Sequence, residues 1–315
     1  MAECEVAEEV INKRCRKDDA PGEMKPWEQH SAVISIPRYD YKAPASFLQR
    51  SFSGFLVTCS IKREKSATKE VMSILNKYLG SITTFGSEQE KDPENTGPKR
   101  RKVVTETEDE CTNDIENKTL DENTERSDPL SLIKLTRSGL LLLTFSHDQC
   151  PDVVAILSNI MQSLESSSLK PPLWCHRILP IQSTCVLHEK ELCTLVSKLV
   201  ANFMNNEGKE LGRPIKFAVG YNRRGIEEAE LKEGNGMLDR SKCFEVVAGA
   251  VKSIVSDSVV DLKCPELTVL IELLPVSGLP KGSPVVAVSV LPQKLIMTKP
   301  RLSIKALVRD VKLKD

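Results

Sequence analysis

The hydrophobic pattern changes its period several times along this chain, and each change marks an element or the lack of one. Residues 1–50 mix charges and prolines without a sustained period. They read as an irregular arm with too little apolar surface to offset the entropy of ordering. GFLVTCS (54–60) is then a short apolar run of strand character. Ser66 is a candidate N-cap, and Val71, Ile74, Leu75, Tyr78 and Leu79 follow it at helical spacing. From Thr83 to Asp128 the pattern lapses into Glu, Asp, Asn, Thr and Lys, the composition of a disordered, solvated insertion.

Periodicity then resumes. GLLLLTF (139–145) reads as a buried strand, and Pro151 and Asp152 open a helix with Val153, Ile156, Leu157, Ile160, Met161 and Leu164 on one face. CHRILPI (175–181) is a strand. The helix over 188–205 aligns Leu192, Leu195, Val196, Leu199, Val200 and Phe203. IKFAVGY (215–221) is a strand, and a helix over 241–256 is predicted to bury Phe244, Val247, Val251, Ile254 and Val255. TVLIELL (268–274) and PVVAVSVL (284–291) are the last clear strands, and a basic tail follows from Lys294. Strands and helices alternate in both halves, so the fold class is α+β, built of α/β layers.

Composition narrows the function classes. The chain has 315 residues, 40% of them hydrophobic, enough for about two domains with cores. Lys+Arg and Asp+Glu are equal at 44 each, so attraction for a polyanion must come from local patches. An aromatic content of 4% argues against single-strand binding on rows of stacking rings. No apolar run reaches about eighteen residues, so no membrane-spanning helix is expected. The acidic N-terminus MAECEVAEEV lacks the apolar core of a secretory signal. Ten cysteines are scattered without a CxxC pair, which fits reduced thiols.

Motifs for catalysis are missing. No GxxxxGK[ST] occurs; KGSP (281–284) has the wrong residues before it, and EGNGM (233–237) follows a charged stretch rather than a strand. The histidines His30, His147, His176 and His188 are dispersed, and Cys175 and His176 would point to opposite faces of a strand, so no metal site is expected. No cysteine has a recognisable catalytic setting.

Basic clusters carry more signal. GYNRRG (220–225) places Arg223 and Arg224 in a loop after a strand, where a guanidinium fork suits phosphate oxygens; solvated loop charge is the alternative. Lys170, Trp174, His176 and Arg177 precede and enter the CHRILPI strand, where the Trp either stacks on a base or anchors the strand. PKRRKV (98–103) joins Lys99, Arg100, Arg101 and Lys102 within the polar insertion, as a nuclear address, a nucleic-acid contact or solvated charge.

Several longer stretches bear a family resemblance. CHRILPIQSTC (175–185) resembles the R-x-L-P-I-x-x-T-C segment of THUMP-domain proteins that act as tRNA-acetylation adaptors. VDLKCPELTVLIEL (260–273) is similar to the family's V-D-L-x-x-P-x-x-T-V-x-x-E run. SGFLVTCSIKREKSATKEVMSILNKY (53–78) is similar to its G-F-L-V-T-C…R-E…E…L-L-N-x-Y opening. Val246, Ala248, Gly249 and Val251 follow its V/I-x-x-x-A-G-x-V helix pattern, with the first residue one position out. The resemblance covers 53–80 and 130–295.

It implies an N-terminal ferredoxin-like domain over 51–150, holding the insertion at 83–128, then a THUMP domain over 151–292 and the tail at 293–315. It also implies a function: binding tRNA at its acceptor end and 3′ CCA, and presenting serine and leucine tRNAs to a separate nucleolar RNA cytidine acetyltransferase that makes N4-acetylcytidine. THUMP-bearing enzymes carry a further catalytic domain, whereas only residues 293–315 follow the last clear strand here, and no acetyl-CoA-binding Q/R-x-x-G-x-G/A loop is present. The expectation is a non-catalytic adaptor without a cofactor; a free-standing RNA-modifying enzyme and a protein scaffold are the alternatives.

Arg177 occupies the arginine of the R-x-L-P-I segment. Where the family shows K-x-R-N at the end of the 215–221 strand, this chain has Gly220, Tyr221, Asn222 and Arg223, which moves the cation to Arg223 and Arg224. Lys170 and Lys216 complete the RNA-binding candidates. A cargo of this kind favours the nuclear, and nucleolar, address for Lys99–Lys102, because Glu106–Glu110 offset its field as an RNA contact.

Overall fold

The computed structural model describes residues 39–85, 130–145, 151–207, 214–227, 238–280 and 282–308, all within the compact unit Ile36–Asp315. The PKRRKV segment, most of the insertion and the far end of the chain lie outside the described residues. So do residues 1–38 of the expected arm.

Strand β1 (Gly54–Cys59) is the central strand of the first sheet, and Phe55, Leu56 and Val57 are fully buried. Helix α2 (Glu64–Phe85) follows it, and then come β2 (Leu130–Ile133), β3 (Leu140–Phe145), α3 (Val153–Glu165) and β4 (Cys175–Ile181). The strand order is β2-β3-β1-β4, and every neighbouring pair is antiparallel. Gly54 pairs with Thr144 in β3, and a Cβ there would overlap the Leu143 carbonyl oxygen, so only glycine fits the crossing.

Helix α2 begins at Glu64, one half-turn before the expected cap, so Ser66 lies inside its first turn. The Glu64 carboxylate accepts the Gly139 amide at 2.9 Å, tying the helix start to the β2–β3 turn. That bond leads the influences that hold its carboxyl below the ordinary range. The N-cap of α3 is Asp152, whose side chain accepts from the Val154 and Ala155 amides; Pro151 therefore precedes the cap instead of filling the first helical turn.

The second sheet has the order β5-β9-β8-β6-β7. It is built from β5 (Ser183–Val186), β6 (Lys216–Asn222), β7 (Val259–Val260), β8 (Leu267–Leu274) and β9 (Val285–Pro292). Strands β6, β7 and β8 run parallel, and β9 is antiparallel to both β8 and β5. Helices α4 (Glu189–Glu207) and α5 (Arg240–Ile254) belong to this layer. Helix α5 is rotated from the expected face: it buries Cys243, Val246, Val247, Ala250 and Val251, while Phe244 is half-buried and Ile254 exposed. Those five positions fall at i, i+3, i+4, i+7 and i+8, a tighter helical stripe than the expected one.

Strands β8 and β9 are buried on both faces, and their period of two sorts residues between two cores. Leu267, Val269, Ile271 and Leu273 join the core under α4 and α5. Leu270 and Leu274, with Val285, Ala287 and Leu291 of β9, turn to the core of the first sheet. The chain passes from one sheet to the other at Gln182, between β4 and β5. Helix α3 and β4 complete the first sheet, because β4 pairs with β1 over Gly54–Cys59.

Part of the arm expected to be irregular is packed, and so is the start of the basic tail. Helix α1 (Ala43–Ser46) buries Ala43, and Phe47 and Phe52 stack beside it with ring centroids 4.3 Å apart. Past β9, a short 3-10 turn (Gln293–Leu295) leads to the hairpin of β10 (Ile296–Met297) and β11 (Ser303–Ile304). Leu295, Ile296, Ile304 and Leu307 are buried there, and the Leu307 amide donates to the His176 carbonyl of β4.

A candidate anion-binding cavity

The site is best built from β4. Its first residues are fixed by Glu70 of α2, whose carboxylate accepts the backbone amides of Leu173, Trp174 and Cys175 at 2.6, 2.9 and 2.9 Å. The Arg63 guanidinium lies 4.8 Å over the Trp174 ring. Trp174 is therefore an anchor at the strand's start. Two residues on in β4, Arg177 is half-buried; its Nε donates to the Ile304 carbonyl at 3.3 Å, and its Nη2 lies 3.9 Å from the Met297 sulfur.

The second wall comes from the end of β6. Asn222 and Glu272 are register partners on β6 and β8, and Asn222 Nδ2 donates to Glu272 Oε1 at 2.8 Å. Arg224 follows with a positive φ of 50°, which turns its Nε onto Glu272 Oε2 at 2.6 Å. Glu272 is 4% exposed. Burial pushes its carboxyl above the ordinary range, against the pull of Arg224 and Asn222.

Arg177 and Arg224 face a common half-enclosed cavity of about 380 Å³. The C-terminal hairpin supplies its third side, through Met297, Pro300, Arg301, Ser303 and Ile304. His176 and Thr58 also line it, and the buried Thr58 Oγ1 has no hydrogen-bond partner among the described residues. Among the described residues no carboxylate lines the cavity; Glu272 sits behind Arg224. Guanidinium, imidazole, amide and hydroxyl groups converging without an acid form a set of donors for an oxyanion.

Of the five expected RNA-binding residues, the structure brings together Arg177 and Arg224. Arg223 is exposed in the same loop but does not line the cavity, and Lys170 is exposed in the loop before β4. Lys216 is at the opposite end of β6, roughly 20 Å along the strand from Asn222, and its Nζ pairs with Asp261 at 3.2 Å. Asp261 also accepts the Cys264 and Lys263 amides, which hold its carboxyl below the ordinary range.

His176 of the expected Lys170–Arg177 cluster joins them, and Arg301 and Glu272, which were not among the expected site residues, complete the constellation. A lone acid in the otherwise apolar LTVLIELL strand was the available signal for Glu272. Arg301 had none beyond its place in a basic stretch.

Other chemistry is not gathered in this way. Among the described residues no group of three or more His, Cys, Asp or Glu could hold a metal ion, and no helix is long and apolar enough to cross a membrane. Cys59 and Cys175 are register partners across β1 and β4, and burial pushes both thiols up, Cys59 to about 11, as suits core residues rather than nucleophiles.

The described residues define a mixed α/β protein with an arginine-lined cavity between its two sheets, a class suited to anionic ligands. The chain is similar to THUMP domain-containing protein 1. It is 23% identical to the Bos taurus protein over 255 residues, 80% of this chain and 65% of that one. It is 23% identical to the Mus musculus protein over 229 residues, 72% of this chain and 59% of that one. The match thus spans less than two thirds of these relatives' length. No protein-family model matches the chain.

Among solved structures, the THUMP domain of THUMP domain-containing protein 1 aligns at 20% identity and a TM-score of 0.22, over 33% of this chain and 87% of that one. A 4-thiouridine synthetase–RNA complex with bound ATP aligns at 9% identity and a TM-score of 0.35, over 77% of this chain and 42% of that one. Likenesses this partial carry no weight for function.

Proposed function

We propose that this chain binds tRNA and presents it to a separate cytidine acetyltransferase that forms N4-acetylcytidine, doing no chemistry itself. The observation that carries the reading is the cavity where Arg177, Arg224 and Arg301 converge, in a chain similar to THUMP domain-containing protein 1. Guanidinium groups in a folded recess suit the phosphates of a structured RNA, which proteins recognise largely through shape and backbone. An adaptor accelerates the reaction of its partner by raising the effective concentration of substrate at that active site.

Two finer readings belong with this one. The order β2-β3-β1-β4, with α2 and α3 as the connections, supports a ferredoxin-like first layer, and the second layer is then the THUMP domain. Lys99–Lys102 in a polar segment supports a nuclear, and nucleolar, location for such a substrate.

The test is reconstitution with purified tRNA and acetyl-CoA. Acetylated cytidine is expected only when both this protein and the acetyltransferase are present. Acetylation by this protein alone would assign it the chemistry, and acetylation by the partner at the same rate without it would remove the adaptor role.

A further inference from the structure

We infer that the Arg177–Arg224–Arg301 cavity receives a terminal phosphate, the 5′-phosphomonoester of an RNA, and not a phosphodiester within the chain. The inference rests on the tRNA reading above and assigns one site within it.

Charge comes first. The lining contributes three guanidinium groups, and one of them, Arg224, is balanced by Glu272. The surplus is two positive charges. A phosphodiester carries one negative charge, whereas a phosphomonoester carries about 1.5 to 2 near neutral pH. The cavity therefore matches the end group and over-compensates the internal one.

Geometry agrees. Arg177 and Arg224 are each fixed through Nε, on the Ile304 carbonyl and on Glu272, so the planes of both forks are set before a ligand arrives. Thr58, register partner of Arg177, lines the cavity beside it, and its hydroxyl has no hydrogen-bond partner among the described residues. The cavity is half-enclosed and has walls from the first sheet, the end of β6 and the C-terminal hairpin. An internal phosphate needs room for the strand to enter and leave, but an end group needs a single mouth. The volume of about 380 Å³ exceeds a phosphate and leaves space for the terminal nucleoside against Leu179, Met297 and Pro300. Among the described residues no Phe, Tyr or Trp lines the site, so His176 is the one ring available for base stacking and the phosphate must carry most of the affinity.

The test uses the full chain and one tRNA sequence in three forms: with a 5′-monophosphate, with a 5′-hydroxyl, and with a 5′-hydroxyl plus a 3′-phosphate. Affinity is measured by fluorescence anisotropy at about 0.15 M salt. Losing a charge-assisted contact to two or more arginines should weaken binding about tenfold or more, and the 3′-phosphate should not restore it. Arg301→Gln, at an exposed position that should leave folding intact, should bind both 5′ forms alike to within about threefold.

Equal affinity of wild-type protein for the 5′-phosphate and 5′-hydroxyl forms overturns the inference and leaves the tRNA reading standing. Recovery of affinity with the 3′-phosphate overturns the assignment to the 5′ end. Retention of the full preference by Arg301→Gln moves the phosphate out of this cavity. Absence of salt-dependent binding to any form removes both the inference and the tRNA reading.

Discussion

Three backbone amides converge on the carboxylate of Glu70, and the strand they open is the one that carries Arg177. A carboxylate accepting several amides is a strong restraint, since each hydrogen bond to a charged group is worth about 1.5–3 kcal/mol. Replacing it with Ala leaves the half-buried Trp174 and Cys175 amides without an acceptor. Glu70→Ala is expected to lower stability by at least about 2 kcal/mol and to speed amide exchange at Trp174 and Cys175. A denaturant titration and exchange measurements check both; unchanged protection at those amides would mean that β4 is held by its pairing with β1 alone. Glu272 plays the corresponding part for Arg224, with the difference that it is buried and its acidity is weakened as a result.

At the scale of elements, the C-terminal hairpin couples the core to the cavity. Ile304 is buried in the core of the first sheet, and its carbonyl also receives Arg177 Nε. Trimming it to Ala opens a void, so Ile304→Ala should cost about 2–4 kcal/mol. Val308→Ala, at a side chain 40% exposed, should cost less than about 0.5 kcal/mol. Similar small losses in both, read as urea midpoints, would mean that the hairpin does not pack as described.

This hairpin also marks the limit of what was legible in the sequence. Runs such as GLLLLTF and TVLIELL announced strands because they are short stretches dense in apolar residues. The hairpin's strands are two residues each, too short for any period, so the sequence showed only a basic tail there. Arg177 and Arg224 were recognisable as cations at strand ends. That they meet depends on the contact between two sheets, which no local pattern encodes, and Glu272 is legible only as an acid that an apolar strand ought not to contain.

For the whole molecule, the balance of 44 basic and 44 acidic residues means that long-range attraction to RNA is weak and binding must be local. Salt dependence then reports how many phosphates are neutralised and by which residues. If the cavity is the site, Arg301→Gln should reduce the slope of log affinity against log salt by about one. Lys216→Gln supplies the contrast: its ammonium is already paired with Asp261, roughly 20 Å along β6 from the cavity, so its removal should leave the slope unchanged. Filter binding over a salt series, with one tRNA and the three proteins, separates the cases. A localised site predicts that only Arg301 moves the slope. Equal reductions by both substitutions would describe a diffuse basic surface, in which the convergence of Arg177, Arg224 and Arg301 has no special role.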